Sequence, residues 1–467
     1  MEGKVQTEKR GFWNFIDNIK GDKVVWIIVF MLVMISILAV FSSTSLLALQ
    51  SKTDRLAIIK EQIITAAAGI GVIWIFCRIK KIGIFRIFSQ AGFIISVLLL
   101  LLLLVKIDLG TACRAVKING VYRALMIFGF QVHVFEFVKV AMVMYLAWAL
   151  HAFRRDQEEI ATNGESSTFA FINALSKTKN FAFLGKPGWK MAMYLYVPIF
   201  LVCVMIIPGS NSSAIFIGGI LIATLLIGGV PMRKIFAAAA LCVVLLLGII
   251  GIHKASGGKM LKRVGTLLSR IEADYSAEQL EKVPARSAEF YNILDEIKQP
   301  YSAKVAVHEG GLLGKGSGNS TQKYVVAVMY GDYMFSFIIE EYGLWGAILV
   351  IILYVSLLAR GSMIARLCDN EFAKIAVGGL SILITGQAFM HMFVNVDIGP
   401  MTGQTLPLIS HGSSAFLMFS AAFGIILSIS RMTRDKIKEE EEAAEPIYER
   451  KDEIQATLEE LEQLDNI

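Results

Sequence analysis

Long apolar runs dominate this sequence and constrain its fold more than any other feature. Each run is about as long as the 17–25 residues that a helix needs to cross a bilayer. Ten such runs lie near residues 25–49, 62–78, 88–105, 132–152, 191–207, 212–230, 233–253, 334–358, 372–395 and 411–430. Because the runs are continuously apolar and too long for tilted strands, they favour helices over a barrel. The sequence predicts an all-α membrane protein, a polytopic bundle of about ten transmembrane helices.

The composition agrees with a membrane protein. Hydrophobic residues make up 55% of the chain and charged residues 18%, whereas soluble domains have about 45–50% and about 25%. The first run is too long for a cleavable signal peptide, and no small-residue cleavage site follows it, so none is expected. The fifth and sixth runs are separated only by the letters PGSNSS, which leaves their division open.

Basic residues cluster at alternate ends of the runs. They are Lys4, Lys9, Arg10, Lys20 and Lys23 before the first run, Arg78, Lys80, Lys81 and Arg86 after the second, Arg154, Arg155, Lys177, Lys179 and Lys186 after the fourth, Arg233 and Lys234 after the sixth, and Arg360 and Arg366 after the eighth. The positive-inside rule places these ends on the cytoplasmic side of the membrane, together with both termini. The net charge of +6 is explained in this way, and no interleaved basic and aromatic patch indicates nucleic-acid binding.

This orientation divides the chain into three parts. Residues 1–23 form a cytoplasmic N-terminus, 24–430 a transmembrane domain, and 431–467 a charged cytoplasmic tail. Residues 254–333 form a large extracytoplasmic loop between the seventh and eighth runs. The tail is predicted as a solvated helix or disorder, with docking to a cytoplasmic partner as the alternative. The five cysteines indicate no disulfide framework, and no metal-binding motif is present.

Carboxylates stand where the large loop gives way to the eighth run. Asp332 lies at the boundary itself, and Glu340 and Glu341 follow about two helical turns later. The residues alone leave Asp332 open between a helix N-cap and a functional carboxylate. The preceding GGLLGKGSG resembles a phosphate loop only superficially, because Glu309 and Gly316 occupy positions where that motif needs glycine and Ser or Thr. Its glycines suit either close approach to a ligand or a flexible loop.

Polar residues also recur inside two runs. Glu136 and Lys139 are three positions apart and share a helix face, either as a functional pair or as an ion pair that joins helices. Gln387, His391 and Asn395 recur every four residues and form a polar stripe that faces neighbouring helices or a wet cavity. For His391, an interhelical hydrogen bond is favoured over catalysis.

Three blocks of the sequence together resemble the SEDS family, which includes FtsW, RodA and SpoVE. The first is GGLLGKGSGNSTQK with Asp332 and EEYGLWG, and the second is NGVYRALMIFGFQVHVFEFVKVAMVMYLAWAL. The third is GQAFMHMFVNVDIGPMTGQTLPLISHGSS, which shares with the family Gln387, Asn395, Pro400, Thr402, Gly403, Leu406, Pro407, Ser410, Gly412 and Ser414. The resemblance covers residues 24–430, and the opening segment and charged tail are more similar to the FtsW branch than to RodA.

The sequence departs from the family pattern at several places. AVMYG stands where the family has Leu-Pro-Glu before the aspartate, and Val134 and Phe135 replace Pro-Ser. His391 and His411 stand where the family has Asn and Tyr. Glu136, Lys139, Lys323 and Asp332 are retained, so the departures concern fine substrate contacts.

The resemblance implies a peptidoglycan glycosyltransferase that polymerises lipid II, with a role in septal synthesis. Asp332 would be the general base, Lys323, Lys139 and Arg123 would face the leaving pyrophosphate, and Glu136 would hold Lys139. Further substrate-binding positions would be Gln322, Gly316, Ser317, Gln387, His391, Asn395, Thr402 and Ser410. A divalent cation, Mg or Mn, is one expected cofactor. The expected partners are a class B penicillin-binding protein and other divisome or elongasome proteins.

Two alternatives remain at this stage. A flippase for lipid-linked precursors would need its carboxylate for transport and not for polymer formation. A non-catalytic scaffold of the division machinery would not need Asp332 at all.

Overall fold

The computed structural model describes residues 20–51, 54–118, 121–164, 166, 168–236, 240, 287–326, 328–399 and 402–464. The seventh predicted run, apart from its first residues, lies outside these ranges, as do residues 254–286 of the large loop and Pro400.

Long apolar helices coincide with the other nine predicted runs. They are α1 Lys23–Ser43, α3 Arg55–Cys77, α4 Ile82–Leu104, α5 Val134–Asn163, α7 Pro187–Ile206, α8 Asn211–Ile227, α10 Met334–Leu367, α11 Glu371–Asn395 and α12 Ser413–Leu464. Within the described ranges, eight of these are long and apolar enough to cross a membrane, and α8 is a shorter apolar helix. The predicted all-α polytopic fold is confirmed.

Further elements connect these helices. They are α2 Ser45–Ser51, α6 Ala170–Ser176, α9 Ala288–Gly310 and the 3₁₀ turns Lys179–Gly185 and Gln322–Tyr324. The division between the fifth and sixth runs is real: α7 ends at Ile206 and α8 begins at Asn211. Ser210 caps α8, since its hydroxyl accepts the Ser213 N–H at 3.2 Å. The charged tail continues α12 as a single helix to Leu464.

A small antiparallel sheet between α4 and α5 was not predicted. Its strands are β1 Cys113–Ile118, β2 Val121–Ile127 and β3 Phe130–His133, in the order β1-β2-β3. The sequence does carry a signal for it, because an Asn-Gly pair flanked by segments of alternating hydrophobic residues is the strongest short-range signal of a β-hairpin. The sheet lies at one end of the bundle, which we call the sheet end. We call the opposite end the basal end.

The most buried helices form the centre of the bundle. The apolar windows of α5 and α12 are 78% and 83% buried, whereas that of α4 is only 28% buried. The outward-facing side chains of the peripheral helices remain apolar, for example Met34, Leu38 and Ile94. This pattern is that of helices whose outer faces contact lipid and not water.

The glycine-rich loop, residues 311–321, docks on a break in α10. Gly343 adopts φ 68° inside that helix, where its neighbours are helical. The carbonyls of Glu340 and Glu341 then accept hydrogen bonds from the Lys315 and Gly316 N–H groups at 2.8 and 3.0 Å. The Leu344 N–H turns to the Gly311 carbonyl at 3.0 Å. The glycines therefore allow one backbone to approach another, and the loop is a built part of the fold.

We expect Gly343→Ala to lower the thermal unfolding midpoint of the detergent-purified protein clearly. A β-carbon at Gly343 would lie 2.3 Å from the Leu312 carbonyl oxygen, and its φ of +68° is unfavourable for alanine. The strain from the backbone alone is about 1–3 kcal/mol. Gly71→Ala is the matched control, because a β-carbon there meets nothing within 4 Å. Equal midpoints for the two variants would contradict the docking role of Gly343.

Candidate active site

Asp332 lies in the turn that precedes α10, at the sheet end. Its N–H donates to the Val328 carbonyl at 3.1 Å, and Tyr333 stands at the N-cap position of α10 without a side-chain cap bond. Asp332 therefore does not cap the helix, and the N-cap interpretation is wrong. Its half-buried carboxylate accepts no hydrogen bond from the described residues. The carboxylate is thus available for a ligand.

Polar residues of α11 and of the following loop hold the backbone of this turn. The Asn395 amide donates to the Asp332 carbonyl at 3.0 Å and accepts the Ser336 N–H at 2.9 Å. The Ser410 hydroxyl donates to the Gly331 carbonyl at 2.7 Å. Asn395 and Ser410, expected to bind substrate, instead hold the backbone on both sides of Asp332.

Arg123 shares the space in front of Asp332. A β-carbon built on Gly403 would lie 3.6 Å from Asp332 Oδ2 and 3.9 Å from Arg123 Nη1, so both groups border the same point. Strand β2 carries Arg123, and its Nε donates to the Gly209 carbonyl at 3.1 Å. Gly403 has φ +60° and leaves this space open. The sheet therefore brings a guanidinium to the carboxylate.

Burial changes the acidity of the carboxylate. Desolvation raises the pKa of Asp332 to about 6, and the positive charge of Arg123 opposes this shift. A carboxyl with this pKa is still ionised at neutral pH, yet is more basic than an ordinary aspartate. Its acidity suits a general base.

Lys139 is enclosed behind this site. Its ammonium donates to Glu136 Oε1 at 2.7 Å, to Gln387 Oε1 at 2.7 Å and to Gln404 Oε1 at 2.6 Å. All three donors of the ammonium are used, and the side chain is fully buried. Glu136 holds Lys139 as expected, but the expected contact of Lys139 with a ligand is not available in this arrangement.

Gln404 and His391 connect Lys139 to the Asp332 turn. The Gln404 carbonyl accepts from His391 Nδ1 at 2.7 Å, so the proton of the imidazole lies on that nitrogen. His391 Nε2 accepts the N–H of Phe335, the second residue of α10, at 3.3 Å. Both ring nitrogens are used, so His391 makes the interhelical bonds that were favoured over catalysis. Sequence reasoning missed Gln404, whose only signal is a polar side chain in the loop before α12.

The polar stripe of α11 thus faces neighbouring helices. Gln387, His391 and Asn395 are all buried. Gln387 also donates through Nε2 to the Thr405 carbonyl at 3.0 Å. These three residues therefore support the site through their hydrogen bonds, and their contact with a substrate stays a prediction.

Lys323 belongs to a second buried cluster. Its ammonium donates to the Gly318 carbonyl at 2.6 Å and lies 3.6 Å from Glu341 Oε1. The Ser42 hydroxyl of α1 donates to the same carboxylate at 2.5 Å. Lys323 is only 2% exposed, so it is held inside the protein by Glu341 and does not present its charge to the surface.

Glu340 fastens the glycine-rich loop. Its carboxylate accepts from Lys315 Nζ at 2.9 Å, from the Thr321 N–H at 2.8 Å and from the Ser320 hydroxyl at 2.5 Å. Glu340 and Glu341 therefore shape the fold.

The remaining expected binding residues fall into two places. The Gln322 N–H donates to Glu340 Oε1 at 3.3 Å, and Ser317 Oγ lies 3.3 Å from the Tyr342 hydroxyl, so these residues and Gly316 belong to the docked loop. Thr402 is half-buried beside Gly403, close to Asp332. Among the described residues, no group of three or more His, Cys, Asp or Glu side chains could hold a metal ion.

Comparison with known proteins identifies the family to which this chain belongs. The family model FTSW_RODA_SPOVE, described as cell cycle protein, matches residues 22–435. Peptidoglycan glycosyltransferase MrdB of Escherichia coli K12 is 36% identical over 133 residues, which cover 27% of this chain and 35% of that protein. The probable peptidoglycan glycosyltransferase FtsW of Bacillus subtilis is 32% identical over 170 residues, covering 35% of this chain and 42% of that protein. The chain thus spans well under half the length of these relatives.

Solved structures share the fold. A chain of a peptidoglycan synthase complex superposes with a TM-score of 0.56 at 17% identity, covering 88% of this chain and 98% of that one. The rod shape determining protein RodA of Thermus thermophilus superposes with a TM-score of 0.53 at 17% identity, covering 89% and 98%.

Proposed function

Since the chain belongs to the FtsW/RodA/SpoVE family of cell cycle proteins, we propose that it is a peptidoglycan glycosyltransferase that polymerises lipid II. One observation carries the proposal: a half-buried carboxylate, Asp332, accepts no hydrogen bond from the residues that the structure describes and lies beside the guanidinium of Arg123. The site lies where the helices begin at the sheet end. A lipid-linked sugar has its reactive group at that level while its lipid stays in the bilayer.

The proposed reaction joins the growing strand to an incoming lipid II. Asp332 takes the proton from the 4-hydroxyl of the acceptor GlcNAc as that oxygen attacks the anomeric carbon of the donor strand. The bond from this carbon to the pyrophosphate breaks, and undecaprenyl pyrophosphate leaves with the electron pair. The proton is on Asp332 at the end of the step and passes to solvent.

Arg123 is the cation that we assign to the leaving pyrophosphate. A developing negative charge needs a preorganised donor, and a guanidinium suits phosphate oxygens because its fork of N–H groups can bind two of them. Lys139 and Lys323 are engaged with carboxylates, so they act through the structure of the site.

We propose a divalent cation only as a second group that stabilises the negative charge of the leaving pyrophosphate. With no group of three metal-binding side chains in the described ranges, such a cation would take most of its ligands from the substrate phosphates, as Mg²⁺ commonly does. It would neutralise charge on the pyrophosphate.

We further propose that the sheet end faces outward from the cytoplasmic membrane, with both termini inside, because the basic residues cluster at the basal end. A class B penicillin-binding protein is the proposed partner. Support comes from the fold shared with a chain of a peptidoglycan synthase complex. A role in septal synthesis rests on the likeness to the FtsW branch.

The test uses the protein co-purified with its cognate transpeptidase and supplied with fluorescent lipid II. A ladder of glycan products on a gel supports the polymerase. Movement of lipid II across vesicles without a ladder favours the flippase. If neither polymer nor movement is seen while the transpeptidase remains bound, the scaffold is favoured.

We expect the polymerisation rate to rise as the pH is raised through about 6 and then to level off, because the pKa of Asp332 is raised to about 6. Below that pH the carboxyl is protonated and cannot accept the hydroxyl proton, so the rate falls about tenfold per pH unit. Initial rates measured at saturating lipid II check this profile. A rate that stays constant across pH 6 would contradict Asp332 as the base.

A further inference from the structure

A cavity at the basal end, lined by charged and apolar residues, is separate from the Asp332 site. It has a volume of about 230 Å³ and lies where α1, α10 and α12 meet. Its lining includes three basic residues and one acidic residue, and the basic residues are Lys23, Arg360 and Arg434. Ile364, Leu367 and Ile437 add an apolar wall. The cavity is smaller than the roughly 300–1,000 Å³ of sites for drug-sized ligands, so it suits a headgroup and not a nucleotide.

Two arginines of this cavity, Arg360 and Arg434, differ in their partners. Asp22 is engaged twice: Oδ2 accepts from Arg360 Nε at 2.8 Å, and Oδ1 accepts the Val24 N–H at 2.9 Å as the cap of α1. Arg434 donates to the Gly21 carbonyl at 3.3 Å. No carboxylate of the described part of the chain forms an ion pair with Arg434. Its guanidinium keeps further donors for an anion.

One hydroxyl of this cavity is available to a ligand. Ser430 is only 4% exposed and lines the cavity. Its hydroxyl makes no hydrogen bond to any residue that the structure describes. The hydroxyl can therefore donate its hydrogen to an oxygen atom of a ligand in the cavity.

We propose that this cavity binds the phosphodiester headgroup of an anionic phospholipid. Arg434 and the free donors of Arg360 would bind the phosphate oxygens, and Ser430 would donate its hydroxyl to the same group. The apolar wall would contact the start of the acyl chains, because it lies where the helices leave the bilayer. A lipid is favoured over free phosphate because free phosphate would leave that wall without a partner.

The test is a lipid titration of the detergent-purified full chain, followed by native mass spectrometry. We expect phosphatidylglycerol to bind more tightly than phosphatidylcholine with the same acyl chains. Arg434→Gln should weaken phosphatidylglycerol binding about five- to tenfold, as one basic residue near the headgroup contributes. Ser430→Ala should weaken it about two- to fivefold without any change of charge.

Arg366→Gln is the matched control, since Arg366 is an exposed residue near the end of α10 that does not line the cavity. Its lipid binding should match the wild type. An equal loss in this control would show general surface charge and overturn the site, as would equal binding of the two lipids. Displacement of the lipid by inorganic phosphate at the same concentration would overturn the headgroup assignment. Unchanged thermal unfolding midpoints show that the variants are folded. If Arg434→Gln does not fold, the lipid binding of Ser430→Ala is the deciding measurement.

Discussion

Asp332→Asn is expected to abolish glycan polymer formation while the protein remains folded and bound to its transpeptidase. Asparagine keeps the shape of the side chain but cannot accept the hydroxyl proton, and loss of a general base lowers rates about 10²–10⁴-fold. Folding should survive, because the Asp332 carboxylate makes no hydrogen bond within the described residues and only its backbone is held by Asn395. The measurement is the initial rate of polymerisation of fluorescent lipid II.

Asp397→Asn is the control for this experiment. Asp397 lies at the same end of the bundle, has φ 64° and pairs with the half-exposed Lys304 at 2.5 Å. Asparagine tolerates that backbone conformation, and such exposed pairs contribute about 0–1 kcal/mol. We expect its rate to match the wild type. If Asp332→Asn also formed polymer at the wild-type rate, Asp332 would not be the base.

Lys139→Met is expected to have the largest effect on stability. The substitution removes a buried ammonium and leaves the Glu136 carboxylate with the acceptor oxygens of Gln387 and Gln404 unpaired. Removing one partner of a buried ion pair costs about 3–5 kcal/mol. Thermal unfolding in detergent should therefore shift to a much lower midpoint.

A double variant and a surface pair complete the test. Glu136→Gln combined with Lys139→Met removes both charges, and part of the lost stability should return, as a double-mutant cycle would measure. Arg155→Met breaks the exposed pair with Glu159 on the same helix, at 2.8 Å, and should cost about 0.3–0.5 kcal/mol. Similar midpoints for Lys139→Met and Arg155→Met would contradict the buried network.

The sequence predicted those features whose signal is local. Continuous apolar runs gave the helices, and the three-residue spacing of Glu136 and Lys139 gave a pair that the structure confirms at 2.7 Å. Asp332 was singled out by its place at the edge of a run. The small sheet was missed because strong helical signals flank it on both sides.

The roles of the supporting residues could not be predicted in the same way. Whether His391 meets a substrate or Phe335 depends on how α10 and α11 pack, and no period in the sequence carries that information. Likewise, a glycine-rich loop that binds a ligand and a glycine-rich loop that docks on α10 cannot be distinguished by their composition. Gln404 gained its importance only from its bonds to Lys139 and His391.

The Lys139 network also bears on how the chain enters the bilayer during synthesis. Two of its three acceptors, Gln387 and Gln404, lie 248 and 265 residues further along the chain, so they do not yet exist when α5 is inserted. A lone lysine costs about 2.5–3.5 kcal/mol at the centre of an inserted helix, and the cost for Lys139 is lower because it lies near the start of α5. Glu136, one turn earlier on the same helix, emerges almost together with Lys139 and neutralises it. Glu136 therefore pairs with Lys139 during insertion, and Gln387 and Gln404 form their hydrogen bonds with Lys139 after the last helices are inserted.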